Sequence, residues 1–98
     1  MKKAEPIHPG EILLEEFLVP LDISRSRLAK DTGITSEELE NIIDRKAAIL
    51  PNSALRLSLY FGLSERFWLN LQSRYDLETE KDKVADRLKK EVRILEAA

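Results

Sequence analysis

Between Ser24 and Lys46 the chain reads SRSRLAKDTGITSEELENIIDRK, and the chemistry open to this stretch is recognition rather than catalysis. Ala29 is followed by Gly33 four residues on, and by Leu39 and Ile42 ten and thirteen residues on. That spacing describes two short helices joined by a tight turn, the helix-turn-helix pattern. Leu28 and Ala29 take the inner face of the first helix, and Ala29 is small enough for two closely crossing helices. Gly33 stands where the chain must reverse, at a left-handed position that glycine adopts most cheaply. Ile34 can plug the corner, while Leu39 and Ile42 line the inner face of the second helix. Thr35 and Glu38 read as an S/T-x-x-E capping box that starts that helix. In a DNA-binding protein it would enter the major groove.

Catalytic constellations are missing. His8 is the only histidine, beside Pro9 in a polar N-terminal stretch, and there is no cysteine. Zinc-ligand spacing and a disulfide framework are therefore both out of reach. No G-x-x-x-x-G-K-S/T or G-x-G-x-x-G run is present. The paired carboxylates Glu15–Glu16 and Glu37–Glu38 are explained by helix starts, where negative charge complements the helix dipole. The chain reads as a non-enzyme with no metal and no cofactor.

The elements that position the motif follow from local signals. Residues 1–8 read as a flexible, polar N-terminus. Pro9 suits the first position of a helix, which carries Ile12, Leu13, Leu14, Phe17 and Leu18 and ends at Pro20. Ser24 is a good N-cap for the first motif helix. After the link from Arg45 to Leu50, Pro51 or Asn52 opens a helix that Gly62 stops. Ser64 then caps SERFWLNLQSRY, whose Phe67, Trp68, Leu71 and Tyr75 recur at helical spacing; Trp68 and Leu71 read as core or dimer interface, Asn70 and Gln72 as exposed or cap-like. Five of the six aromatic residues fall between Tyr60 and Tyr75, which places the densest packing there. From Thr79 the tail reads as one more helix with a narrow apolar stripe, Val84, Leu88, Val92 and Leu95. The expected organisation is all-α, a bundle of five to six helices: residues 9–77 as the helix-turn-helix domain and 78–98 as a C-terminal helix able to pair with a second copy.

The totals fit one small domain, with 98 residues and 43% hydrophobic content. The opening MKKAEPIHPG has no apolar segment behind its lysines, and no apolar run reaches membrane-spanning length, so a soluble cytoplasmic protein is expected. The net charge is −2, from 16 basic and 18 acidic residues, so any grip on DNA must come from a local basic patch.

HPGEILLEEFLVPL, SRSRLAKDTGI, ALRLSLYFG and above all FWLNLQSRYDL resemble the HigA/VapI-type antitoxins of the lambda-repressor-like (XRE) helix-turn-helix family, and DRLKKEV extends the likeness into the tail. The resemblance implies a lambda-repressor-like bundle and a homodimeric antitoxin. Such a protein would bind and silence a HigB-type mRNA-cutting toxin and repress its own operon at a palindromic operator. The outward face of the second motif helix would then present Thr35, Ser36, Glu37, Glu40, Asn41 and Asp44. Arg25 and Arg27 would meet phosphates from the first motif helix, flanked by Lys30, Arg45 and Lys46. Asn41 could pair bidentately with adenine, and Ser36 with several bases. The DNA-contacting set is thus Arg25, Arg27, Thr35, Ser36, Glu37, Asn41, Arg45 and Lys46. The chain departs from the family pattern where Glu37 and Glu38 replace basic residues and Arg45 replaces a glycine. Two further readings stay open: an antitoxin that works through protein contact alone, its acidic face drawn to a basic toxin, and a solitary XRE-type regulator.

Overall fold

The computed structural model describes residues 5–96. Residues 1–4 of the expected flexible N-terminus, and the last two residues of the tail, lie outside that range. All regular structure among the described residues is helical: α1 (Pro9–Ile12), running straight into a π-helical segment (Leu13–Leu18), then α2 (Arg25–Thr32), α3 (Ser36–Ile43), α4 (Pro51–Phe61) and α5 (Phe67–Glu91).

Local chemistry sets most of the boundaries. Ser24 caps α2 through its hydroxyl, which accepts from the Arg27 N–H at 3.1 Å. Gly33 ends α2 in a left-handed conformation with φ 77°, its N–H donating to the Ala29 carbonyl. Buried Thr32 fastens the same turn: its hydroxyl donates to the Leu28 carbonyl at 2.6 Å and accepts from Ile34 N at 3.2 Å. Gly62 ends α4 in the same left-handed way, with φ 69°. Leu13, Leu18, Leu28, Ile34, Leu39, Ile42, Ile43, Ile49, Ala54, Leu57 and Trp68 make the core. Phe17, Tyr60, Phe61, Phe67 and Trp68 pack ring against ring, with Phe17 brought across from the first helix into the expected aromatic region.

Four expectations are corrected. The first helix does not stay α-helical to Pro20. Its second half winds as a π-helix, with Val19 N bonded to Leu14 O at 3.0 Å. In a π turn residues five apart lie nearly above one another, which lets Leu13 and Leu18 both enter the core. The tail is not a separate helix: α5 runs unbroken for 25 residues to Glu91. No proline or glycine interrupts it, and the i,i+4 pairs Arg74–Glu78 and Arg87–Glu91 support its exposed face. Val92 is already extended, so Val92 and Leu95 lie past the helix end. The projecting half of α5 also explains a radius of gyration of 16.9 Å, against about 13 Å for a compact domain of this length.

The other two corrections concern buried polar groups. His8 is not loose but 4% exposed, caps α1 by accepting from Gly10 N at Nδ1 (2.9 Å), and stands edge-on to Tyr75. Gln72 is buried, not exposed. Its Oε1 accepts from Ile49 N at 2.8 Å and its Nε2 donates to Asp76, which ties the α3–α4 link to α5.

Candidate nucleic-acid interface

The geometry of α3 is set by what holds it from behind. Leu39, Ile42 and Ile43 are buried, and Gly10 of α1 lies directly on the Ile42–Ile43 backbone, so close that a methyl group there would overlap the Ile42 carbonyl oxygen. Thr35 caps the helix, accepting from Glu38 N at 3.1 Å. Only this half of the expected capping box forms. The Glu38 carboxylate instead accepts from the Ser53 hydroxyl in the first turn of α4, a site where its charge complements that helix's dipole. Arg56 braces the motif turn from α4, donating to the Thr32 carbonyl at 2.9 Å and to Asn52 at 2.7 Å. Tyr60 adds a bond from its hydroxyl to Asp31 at 3.1 Å. These braces span 15 to 29 residues of chain, and sequence spacing carried no signal for them.

The outward face is left open. Thr35, Ser36 and Glu37 are exposed at the N-terminal end of α3, Asn41 is half-buried midway, and Arg45 and Lys46 are exposed beyond its C-terminus. The Asn41 backbone carbonyl accepts from both Lys46 N and Ala47 N, which curls the chain so that these cations follow directly on the helix. Arg45 holds φ 64°, a left-handed conformation rare for a side-chain-bearing residue.

Arg25, the first residue of α2, reaches across to α3. Its Nη1 donates to Glu40 Oε2 at 2.7 Å and lies 3.9 Å from Asp44 Oδ1. Arg25, Ser26, Ser36, Leu39 and Glu40 line a cleft of about 180 Å³ between the N-terminal ends of the two motif helices. Arg27 turns away from this group and pairs with Asp31 on its own helix at 3.4 Å. The structure therefore brings Arg25, Ser36 and Glu40 together along one side of α3, with Arg45 and Lys46 following just past its C-terminus. Exposed ion pairs of this kind contribute at most about 1 kcal/mol, so both arginines can be exchanged to a phosphate.

Behind the α3–α4 link, burial of His8 lowers its pKa below the ordinary 6.5; a hydrogen bond to the Ala47 backbone opposes the shift without cancelling it. A neutral ring is what the Gly10 N–H to Nδ1 bond requires. Among the described residues no three His, Asp or Glu side chains converge to hold a metal ion, and no helix is long and apolar enough to cross a membrane.

Comparison with known proteins gives one consistent answer. The chain is 44% identical over 78 residues to virulence-associated protein I of Dichelobacter nodosus, covering 79% of this chain and 72% of that protein. It superposes with a TM-score of 0.89 on the Pseudomonas aeruginosa antitoxin HigA with the higBA promoter, at 38% identity, covering 94% of this chain and 100% of that one. A second Pseudomonas aeruginosa protein, in complex with its operator DNA, superposes with a TM-score of 0.91 at 38% identity, covering 97% of this chain and 100% of that one. No family model matches the chain.

Proposed function

The chain belongs to the HigA and virulence-associated protein I family of helix-turn-helix antitoxins and regulators, and on that premise we propose that it is a cytoplasmic, homodimeric antitoxin that binds its own operator. The observation that carries the reading is the open outward face of α3, held rigidly from behind, in a fold that aligns nearly end to end with chains solved on promoter and operator DNA. The residues fit the work by type. Ser36 and Asn41 supply hydrogen bonds to base edges. Arg25, Arg45 and Lys46 flank them as phosphate partners. Two copies related by a two-fold axis would set their α3 helices in successive major grooves, about 34–36 Å apart. The exposed apolar side chains Leu77, Leu88, Val92, Ile94 and Leu95 on and beyond the projecting half of α5 favour such pairing.

Fluorescence anisotropy with the duplex just upstream of the gene, across a salt series, tests the DNA reading. Affinity should fall steeply with salt as phosphate contacts release counterions, and no salt-sensitive binding at low ionic strength would refute it. Light scattering that gives a monomer mass at high micromolar concentration would refute the dimer.

The partner on the protein side is a HigB-type toxin, a basic ribonuclease. The acidic side chains Glu37, Glu40 and Asp44, together with arginines already engaged within the chain, favour that contact. Calorimetric titration with the small basic protein encoded beside this gene measures it. A saturable 1:1 complex supports neutralisation, and no heat at micromolar concentration counts against it.

A further inference from the structure

Three charges meet where α2 crosses α3. Arg25, Glu40 and Asp44 are each about half exposed, at 40%, 46% and 48%, and one cation faces two carboxylates. The group therefore carries one net negative charge on the face that the preceding reading turns toward DNA. A phosphate that captures Arg25 must first displace Glu40, and it leaves both carboxylates unpaired beside a polyanion. On a sequence that offers only acceptor edges there, guanine O6 or thymine O4, the carboxylates meet further negative charge. Where the duplex presents an exocyclic amine, cytosine N4 or adenine N6, a carboxylate can accept from it in the major groove. Arg25 is then free for the phosphate while Glu40, its closer partner, keeps a donor.

We propose that Glu40 and Asp44 are specificity-determining residues that work by exchange. They hold Arg25 away from phosphates on unrelated DNA and release it only where the operator offers Glu40 an amino group. Base recognition and phosphate grip are thereby coupled through one ion-paired cluster. The proposal rests on the operator-binding reading above. Glu37 serves as the comparison, a carboxylate exposed on the same face with no ion pair among the described residues.

The test compares operator and scrambled duplexes by fluorescence anisotropy for wild type, Glu40→Gln, Glu37→Gln, Arg25→Ala and the Arg25→Ala/Glu40→Gln double variant. Matched thermal melts confirm that each variant is folded. Glu40→Gln should bind scrambled DNA more tightly and lose about tenfold in its operator-to-scrambled ratio, the worth of one good base contact. Freeing one cation should also steepen the logarithmic salt slope on scrambled DNA by about 0.9. Placing Arg25→Ala beneath Glu40→Gln should erase most of the gain, since the gain belongs to the pair. Glu37→Gln should give only the smaller gain that follows from removing any negative charge. Other results than these overturn the proposal: weaker binding of Glu40→Gln to both duplexes, which would make Glu40 an aid to the phosphate contact; a gain no larger than that of Glu37→Gln; or a gain of the same size without Arg25. Failure of wild type to bind either duplex overturns the operator-binding reading and this proposal together, whereas an unchanged ratio on a bound operator overturns this proposal alone.

Discussion

Gly10→Ala should be the most damaging of the three possible glycine-to-alanine changes. Gly10 is buried as the second residue of α1, and a Cβ built there overlaps the Ile42 carbonyl oxygen, stands 2.7 Å from the Ile42 carbonyl carbon and 3.1 Å from Ile43 Cα. These are backbone atoms of α3, so no rotamer change relieves them and α1 must move off the recognition helix. Overpacking of a core by such a group costs about 1–3 kcal/mol, and a backbone clash belongs at the upper end. Against that, alanine in a helix gains about 0.5–1 kcal/mol over glycine. The net loss is about 2 kcal/mol. For a domain of this size each kcal/mol shifts Tm by about 4–8 °C, so circular dichroism should show a fall of about 8–16 °C. The other two glycines give the scale. At Gly62 nothing lies within 4 Å, and only the left-handed φ of 69° resists alanine, at about 1 kcal/mol. At Gly33 the φ is 77° and the nearest atom is the Arg56 guanidinium at 2.7 Å, a side-chain end that can swing aside. The expected order of damage is Gly10, then Gly33, then Gly62. A Tm for Gly10→Ala at or above that of Gly62→Ala would refute the claim that α1 fixes α3 by direct backbone contact.

Three further outcomes follow from single residues. His8 must be neutral to accept from Gly10 N, and its folded pKa lies below the ordinary 6.5; its share of stability is therefore complete above pH 6.5 and is lost as pH falls from there toward the folded value. Its proton NMR titration is unambiguous because it is the only histidine, and a midpoint at or above 6.5, or equal acid sensitivity in His8→Asn (a non-titrating cap), would contradict this. Arg45→Gly relieves the left-handed strain at φ 64° and should stabilise by about 1 kcal/mol, raising Tm by about 4–8 °C; a lower Tm would refute it. Gln72→Leu keeps the side-chain volume but leaves the buried Ile49 N–H without its acceptor, for a loss of about 1–3 kcal/mol in urea unfolding at unchanged m, and no shift in midpoint would show that this bond ties nothing.

The helix-turn-helix was legible because its requirements are local and steric. Ala29, Gly33, Leu39 and Ile42 each meet a demand within one or two turns of chain, and the structure puts Gly33 at φ 77° with Leu39 and Ile42 buried. Polar residues were less legible, since their placement depends on partners far along the chain. Gln72 looks like any exposed glutamine until Ile49, 23 residues back, needs an acceptor. His8 looks like a terminal residue until Tyr75 and the Ala47 backbone close over it. The break expected near Thr79 rested on Glu80 with the apolar stripe of Val84 and Leu88 behind it. With no glycine or proline behind it, the cooperativity of an established helix carries α5 through.

The same limit explains why the acidic character of α3 was easy to misjudge. Counted from the sequence, Glu37, Glu38, Glu40 and Asp44 make four carboxylates on or near a surface meant for a polyanion. In the fold they have different partners. Glu38 faces Ser53 at the start of α4, and Glu40 and Asp44 face Arg25. What remains is three cations, Arg25, Arg45 and Lys46, against three carboxylates, Glu37, Glu40 and Asp44, with Lys30 at the flank, a face close to neutral. Such a face gives little long-range steering, and beyond a Debye length of about 8 Å what remains is screened. On the proposed operator-binding reading, association through α3 would then depend on which groups meet once the surfaces touch, and the exchange of Arg25 between Glu40 and a phosphate, rather than the count of its neighbours, would set affinity.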